Sequence, residues 1–134
     1  MSWDIFVQDM PIAALSIADI PEDFQPRPLG YSRARIIDTI RAVAPFADIS
    51  DPSWIRVEGF GIDVEVSLGG DELVDHFAFH GHGGELTAAF VATVLHELEL
   101  RAFDAQSESG IFTAETAAKS LEEWVVYRDQ VGGR

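Results

Sequence analysis

The chain has 134 residues, a formal net charge of −14 at pH 7 and no cysteine. This length indicates a single domain, residues 1–134, large enough to bury a hydrophobic core. The lack of cysteine excludes disulfides, thiolate metal sites and cysteine nucleophiles. Strong acidity disfavours nucleic acid and anionic lipid, and the chain has neither a signal-peptide pattern nor an apolar run of about 20 residues. We therefore expect a cytoplasmic protein without nucleic-acid or membrane partners.

The first 45 residues predict a strand, a surface loop and a helix. The aromatic and β-branched run Trp3–Gln8 is typical of a strand. Three prolines between residues 21 and 28 exclude a continuing helix or central strand, so this segment is expected to be a loop lying on the body. Ser32 is placed to cap a helix that ends before Pro45. The predicted inward residues of this helix are Ile36, Ile37, Ile40 and Val43.

From Trp54 onward the apolar residues recur with period two, which predicts three antiparallel strands joined by glycine-containing turns. Their predicted inward residues are Ile55, Val57, Ile62, Val64, Val66, Leu68, Phe77 and Phe79. An amphipathic helix follows, with Leu86, Phe90, Val94 and Leu98 facing inward. "RAFDAQ" predicts a last strand. A final helix is expected to begin near Thr113 and to bury Leu121, Trp124 and Val125.

The predicted order of elements is strand, helix, three strands, helix, strand, helix. The strands of the meander alternate apolar and polar residues, so one sheet face should be covered and the other polar. We therefore predict an α+β fold in which a mainly antiparallel sheet has about three helices packed on one face. This architecture is an elaborated ferredoxin-like sandwich.

The histidine and glycine run His80-Gly81-His82-Gly83-Gly84 lies where the third strand of the meander ends. A four-residue hairpin at residues 69–72 would place Leu68 opposite Leu73, and Glu65 opposite His76. The polar face would then carry His76, His80 and His82. The three glycines are expected to let the chain turn from the strand into the next helix.

A metal site is the first chemical alternative for this run. His80 and His82 are spaced as two ligands on one strand face, and Glu65 could add an oxygen. Sequence spacing specifies no further ligand, and Leu100 stands where a zinc-protease helix beginning at His96 would need its second histidine. An oxyanion loop would need a nucleophile elbow, which the chain lacks. We therefore predict no metal and no cofactor.

The polar sheet face is the second alternative, as a protein-binding surface with an aromatic anchor. The candidate partner-binding residues are Trp54, Arg56, Asp63, Glu65, His76 and His80. A solvated face, or one covered by the final helix, would explain the same pattern. The favoured function is a non-enzymatic interaction module that binds a basic protein. The alternatives are a metal-dependent or hydrolytic enzyme that uses the His/Glu sheet face, and a structural homodimer.

Four phrases carry a resemblance that runs nearly end to end: "WDIFVQDMP", "DIPEDFQPRPLG", "FADISDPSWIRVEGFGIDVEVSLG" and "LEEWVVYRDQV". They resemble a group of small bacterial proteins of similar length that have no assigned function. The resemblance implies one intact bacterial domain, and it implies no catalytic residue, cofactor or partner. In size, acidity and α+β composition the chain is also similar to immunity proteins, which neutralise basic toxin domains.

Overall fold

The computed structural model describes residues 2–11, 13–82, 84–113 and 115–131. Of residue 131 it describes the backbone alone. Their elements, in chain order, are β1 (Trp3–Val7), a 3-10 turn (Ile17–Asp19), β2 (Tyr31–Ser32), α1 (Arg33–Val43), β3 (Trp54–Gly59), β4 (Ile62–Ser67), β5 (Leu73–Val74), β6 (Phe77–Gly81), α2 (Glu85–Leu98), β7 (Ala102–Phe103), β8 (Ile111–Phe112) and α3 (Ala117–Val131).

Six strands form one antiparallel sheet in the order β3-β4-β6-β1-β7-β8, and β2 and β5 form a small second sheet. Without the outer strands β3 and β8, the elements of the main sheet follow the β-α-β-β-α-β pattern of ferredoxin-like folds. The predicted α+β class, with three helices and a mainly antiparallel sheet, is confirmed. The predicted order of elements had five strands, one more than the four of a ferredoxin-like fold. The main sheet has six, because each of its edges carries an added strand.

All three helices pack on one face of the main sheet. Residues Ile36 and Ile40 of α1, six residues of α2 and Trp124 of α3 join the inward strand residues in one core cluster. Trp3 stacks against Trp124 with 6.0 Å between ring centroids, which attaches α3 to β1. Strand alternation therefore sorts the sheet as predicted, with its apolar side against the helices.

One inward residue and one boundary were predicted wrongly. Leu86 is exposed, because it lies in the first turn of α2 beyond the edge of the core, beside Gly61 in the β3–β4 turn. The last helix begins at Ala117 and not near Thr113, because residues 111–112 form β8 and pair with β7. Trp124 is buried as expected, and Leu121 and Val125 are partly buried against the core.

The predicted pairing of β4 was also wrong. Glu65 lies opposite His80 and not His76. The reason is that β5 pairs with β2, so the chain after Leu68 leaves the hairpin and returns to β4 only at β6. The shift is four positions, an even number, and the same side chains therefore stay on the inward face.

The segment between β1 and α1 lies on the body, as expected for an ordered loop. Met10 and Ala14 pack with Ile111 and Phe103 in a second, smaller apolar cluster. Because Phe103 lies opposite Phe6 on the side of the sheet away from the helices, this loop covers the β7 end of that side. Over β3, β4, β6 and β1 most outward side chains among the described residues stay at least partly exposed.

Asp104, which directly follows β7, is a fully buried acidic residue. Its carboxylate accepts hydrogen bonds from the Trp3 indole at 3.0 Å and from the backbone N–H of Gln106 at 3.0 Å. Burial raises the pKa of Asp104 above its ordinary value, and these hydrogen bonds oppose that rise. The residue ties the loop after β7 to the centre of the sheet.

Candidate functional site

Polar and aromatic side chains cover the side of the main sheet that points away from the helices. We call this surface the open sheet face and define it by the outward residues of β3, β4, β6 and β1. These are Trp54, Arg56, Glu58, Asp63, Glu65, Ser67, Ala78, His80, Asp4 and Phe6. Within the described ranges no helix packs on it, since the buried residues of α1, α2 and α3 join the core on the opposite side.

Arg56, at the centre of β3, contacts two carboxylates. Its Nη2 and Nε atoms donate to Glu58 Oε2 at 2.7 and 3.0 Å, and Nη1 lies 3.5 Å from Glu65 Oε1. The hydrogen bond to Glu58 raises the pKa of the Arg56 guanidinium. Exposed ion pairs of this kind contribute little to stability, because solvent and salt screen them. The main effect of the contacts is to fix the position of the guanidinium on the sheet.

The charge on this surface is unbalanced. Asp4, Glu58, Asp63 and Glu65 contribute four carboxylates, and Arg56 contributes the fixed positive charge. Glu58 and Asp63 are direct cross-strand partners. Like charges in that position destabilise a strand pair. The open sheet face is therefore acidic, because one arginine accompanies four carboxylates, and a further cation between β3 and β4 would be attracted there.

Trp54 is a large, partly exposed aromatic side chain that is held in place. It is 45% exposed, and its ring lies almost parallel to that of His80, with 5.4 Å between centroids and 12° between planes. Its indole Nε1 donates to Glu65 Oε2 at 3.2 Å. An anchored aromatic loses little conformational freedom when a partner covers it. Trp54 is thus suited to contact another molecule.

Both ring nitrogens of His80 have partners on neighbouring strands. Nδ1 lies 2.8 Å from Asp4 Oδ1, and Nε2 lies 3.1 Å from Ser67 Oγ. The same oxygen of Asp4 accepts a hydrogen bond from Ser2 Oγ at 2.6 Å. Because β6 is paired on one side with β1 and on the other with β4, the sheet itself fixes these three strands. The imidazole therefore has one defined orientation.

Four of the six residues that the sequence proposed for partner binding form one contact network: Trp54, Arg56, Glu65 and His80. Asp63 is exposed beside Glu58 on the same surface. His76 lies outside this network, between β5 and β6, where it is exposed and lines one cleft together with Ser67 and His80.

The proposed metal ligands are not arranged as a metal site. His82 follows the end of β6 and is exposed, and its backbone N–H donates to Asp63 O at 2.9 Å. His80 uses both ring nitrogens in hydrogen bonds. In the described part of the chain no three histidine, aspartate or glutamate side chains lie together in a way that could hold a metal ion. Glu65 therefore does not complete a metal site with His80 and His82.

The glycine run has two different structural roles. Gly84 has φ of +96° and precedes α2, so it adopts the conformation that glycine favours at a turn. Gly81 is the last residue of β6 and is not part of the turn. A Cβ added there would meet the Thr87 side chain at 3.2 Å, so close packing against α2 favours glycine at this position. Gly83 lies outside the described residues.

Sequence reasoning missed Asp4 as a site residue and gave no role to Ser67. Alternation along β1 does put Asp4 on the opposite side from Trp3 and Ile5. What the pattern lacks is the strand order, which brings Asp4 to His80 across 76 residues of sequence.

No helix among the described residues is both long enough and apolar enough to cross a bilayer. Comparison of the chain with protein-family models, with curated proteins and with solved structures finds no match. A functional assignment therefore has to come from the geometry of the open sheet face.

Proposed function

We propose that this chain is a cytoplasmic protein-interaction module whose open sheet face binds a basic surface of another protein. One observation supports this most strongly. The sheet surface left free by the helices combines a partly exposed, anchored tryptophan with an excess of carboxylates. Immunity proteins, which neutralise basic toxin domains, are one class of protein that would use such a surface. The absence of cysteine is compatible with the reducing cytoplasm.

Charge supports a basic partner. The chain carries −14 overall, and its long-range field attracts a basic protein and repels an acidic one. Locally, a lysine or arginine of the partner placed between Glu58 and Asp63 would be attracted by both carboxylates and would relieve their repulsion. The interaction thus uses carboxylates that the single Arg56 neutralises only in part in the free protein.

Trp54 is the proposed anchor of the contact. Binding energy at protein interfaces is concentrated in a few residues, among which tryptophan is enriched. The hydrogen bond to Glu65 and the stacking on His80 hold the ring in place before binding. Arg56 and the surrounding carboxylates would form the polar part of the contact around it.

A symmetric homodimer through the same surface is less favourable. Twofold pairing would place the face against its own copy. Each copy brings four carboxylates and one arginine on this face, and −14 in total. Repulsion between two like-charged surfaces therefore opposes self-association through this face.

Asp63→Lys provides a direct test, because it should affect stability and binding in opposite directions. The new lysine would lie opposite Glu58 and replace a repulsive pair with an attractive one. The free energy of unfolding should rise by a few tenths to about 1 kcal/mol. Capture of a basic partner from a bacterial lysate, quantified by mass spectrometry, should fall sharply.

Asp38→Lys is the matched control, because Asp38 is exposed on α1 and the substitution changes the net charge equally. The control bait should retain the partner. If both baits lose the partner equally, net charge accounts for binding and the open sheet face does not. If neither loses it, the partner binds elsewhere.

A further inference from the structure

The hydrogen bonds around His80 have a chemical consequence that does not depend on partner binding. Asp4, His80 and Ser67 form a continuous chain in which the carboxylate contacts Nδ1 and the hydroxyl contacts Nε2. We propose that Ser67 is a nucleophile activated by His80, and that this centre hydrolyses small carboxylic esters. Asp4 is a positioning residue that acts through His80.

The order of contacts is what a serine nucleophile requires. A base hydrogen-bonded to the hydroxyl takes its proton, and a third group at the other ring nitrogen fixes the tautomer and orientation of that base. Here the distances are 3.1 Å from Nε2 to Ser67 Oγ and 2.8 Å from Nδ1 to Asp4 Oδ1. Three paired strands supply the three residues, so the geometry is held by the sheet. Trp54 covers one face of the imidazole.

A cleft of about 500 Å³ gives a small substrate access to the hydroxyl. Beside Ser67 and His80, its apolar lining includes Phe6, Leu73 and Phe77, and its polar lining includes Asp71, Asp75 and His76. This mixed lining fits an ester with a short apolar acyl group. Gly69, two residues after the nucleophile, also lines the cleft. Among the described residues its backbone N–H makes no hydrogen bond, and we assign it as the oxyanion donor of the proposed centre.

The reaction uses water as its second substrate. Ser67 Oγ forms a bond to the acyl carbon as its proton passes to His80 Nε2. The bond from that carbon to the alcohol oxygen then breaks, and the alcohol leaves with the proton from His80. Water attacks the acyl-serine, again giving a proton to His80, and the carboxylic acid leaves as this proton returns to Ser67 Oγ. Asp4 keeps its contact with Nδ1 and takes part in no bond change.

The first experiment is labelling with a fluorophosphonate probe, with the modified peptide located by mass spectrometry. We expect an adduct at Ser67 that is absent in Ser67→Ala, and a labelling rate at least about 100-fold lower in His80→Ala. Asp4→Asn should lower the rate and change its pH profile. Ser50→Ala is the matched control, since Ser50 is exposed and bonds to Asp48. No adduct at Ser67 in the folded protein, or a rate unaffected by His80→Ala, overturns the proposal.

The second experiment uses the absence of cysteine from the chain. In Ser67→Cys the introduced thiol is the single cysteine, and contact with His80 favours its reactive thiolate. At pH 7 its alkylation by iodoacetamide should be at least about 10-fold faster than in Ser50→Cys, although position 67 is less exposed. Adding His80→Ala should remove this difference. A rate no higher than in Ser50→Cys shows that the site does not activate position 67, and it overturns the proposal.

Discussion

The assignment of the two sheet faces can be tested by truncating two phenylalanines that lie close together on opposite faces. Phe79 on β6 is 0% exposed and packs edge-on against Phe77 and Phe90, with 5.5 and 6.5 Å between centroids. Phe6 on the adjacent strand β1 is 45% exposed on the open side. Phe79→Ala removes a fully buried ring and leaves a cavity, whereas the site left by Phe6→Ala opens to solvent.

We expect Phe79→Ala to lower the free energy of unfolding by about 3–5 kcal/mol. For Phe6→Ala we expect about 1 kcal/mol, since about half of the ring is buried and full burial of such a side chain stabilises by about 1.5–3 kcal/mol. Urea unfolding measures both variants. With an m value near 2 kcal/mol/M, the midpoints should fall by about 2 M and about 0.5 M. Equal shifts, or a larger shift for Phe6→Ala, would refute the assignment of inward and open faces.

Three other predictions concern the pH dependence, the first helix and metal content. Because burial raises the pKa of Asp104, the folded state keeps this proton to higher pH than the unfolded chain, and the contribution of Asp104 to stability falls as pH rises through the raised pKa. The stability of Asp104→Asn relative to wild type should therefore increase with pH above about 4 in urea titrations, and a constant difference would contradict this. Ser32→Ala removes the side-chain acceptor for the Arg35 N–H and should lower the free energy of unfolding by about 1 kcal/mol; an unchanged midpoint would show that the cap is dispensable. Elemental analysis of tag-free protein should find no stoichiometric zinc, nickel or manganese, and a bound metal that His80→Ala releases would disprove the hydrogen-bonded role given to that ring.

The features that depend on local periodicity could be predicted from the sequence. Alternation along β3 and β4 correctly separated buried residues from outward ones, because neighbouring side chains of a strand point to opposite faces. The Ser32 cap and the end of α1 followed from local chemistry in the same way. The acidic, partly aromatic composition of the open sheet face could therefore be predicted from the sequence.

The features that depend on distant pairing could not be predicted. Residues 69–72 favour a tight hairpin, but β5 pairs with β2, about 40 residues earlier in the chain, and this changes which histidine faces Glu65. The contact between Asp4 and His80 depends on β1 inserting between β6 and β7. Local patterns carry no information on such an order. The contacts of His80 with Asp4 and Ser67 therefore could not be predicted from the sequence.

The most direct test of the proposed binding face is the kinetics of the captured partner at low and high salt. At about 0.15 M salt charges are screened beyond ~8 Å, so steering by this acidic surface should weaken as salt is added. We predict that Asp63→Lys mainly slows association, and that Trp54→Ala mainly speeds dissociation, by about 30-fold for a loss of about 2 kcal/mol. A partner whose rates are insensitive to salt and unchanged by both substitutions would contradict binding through the open sheet face.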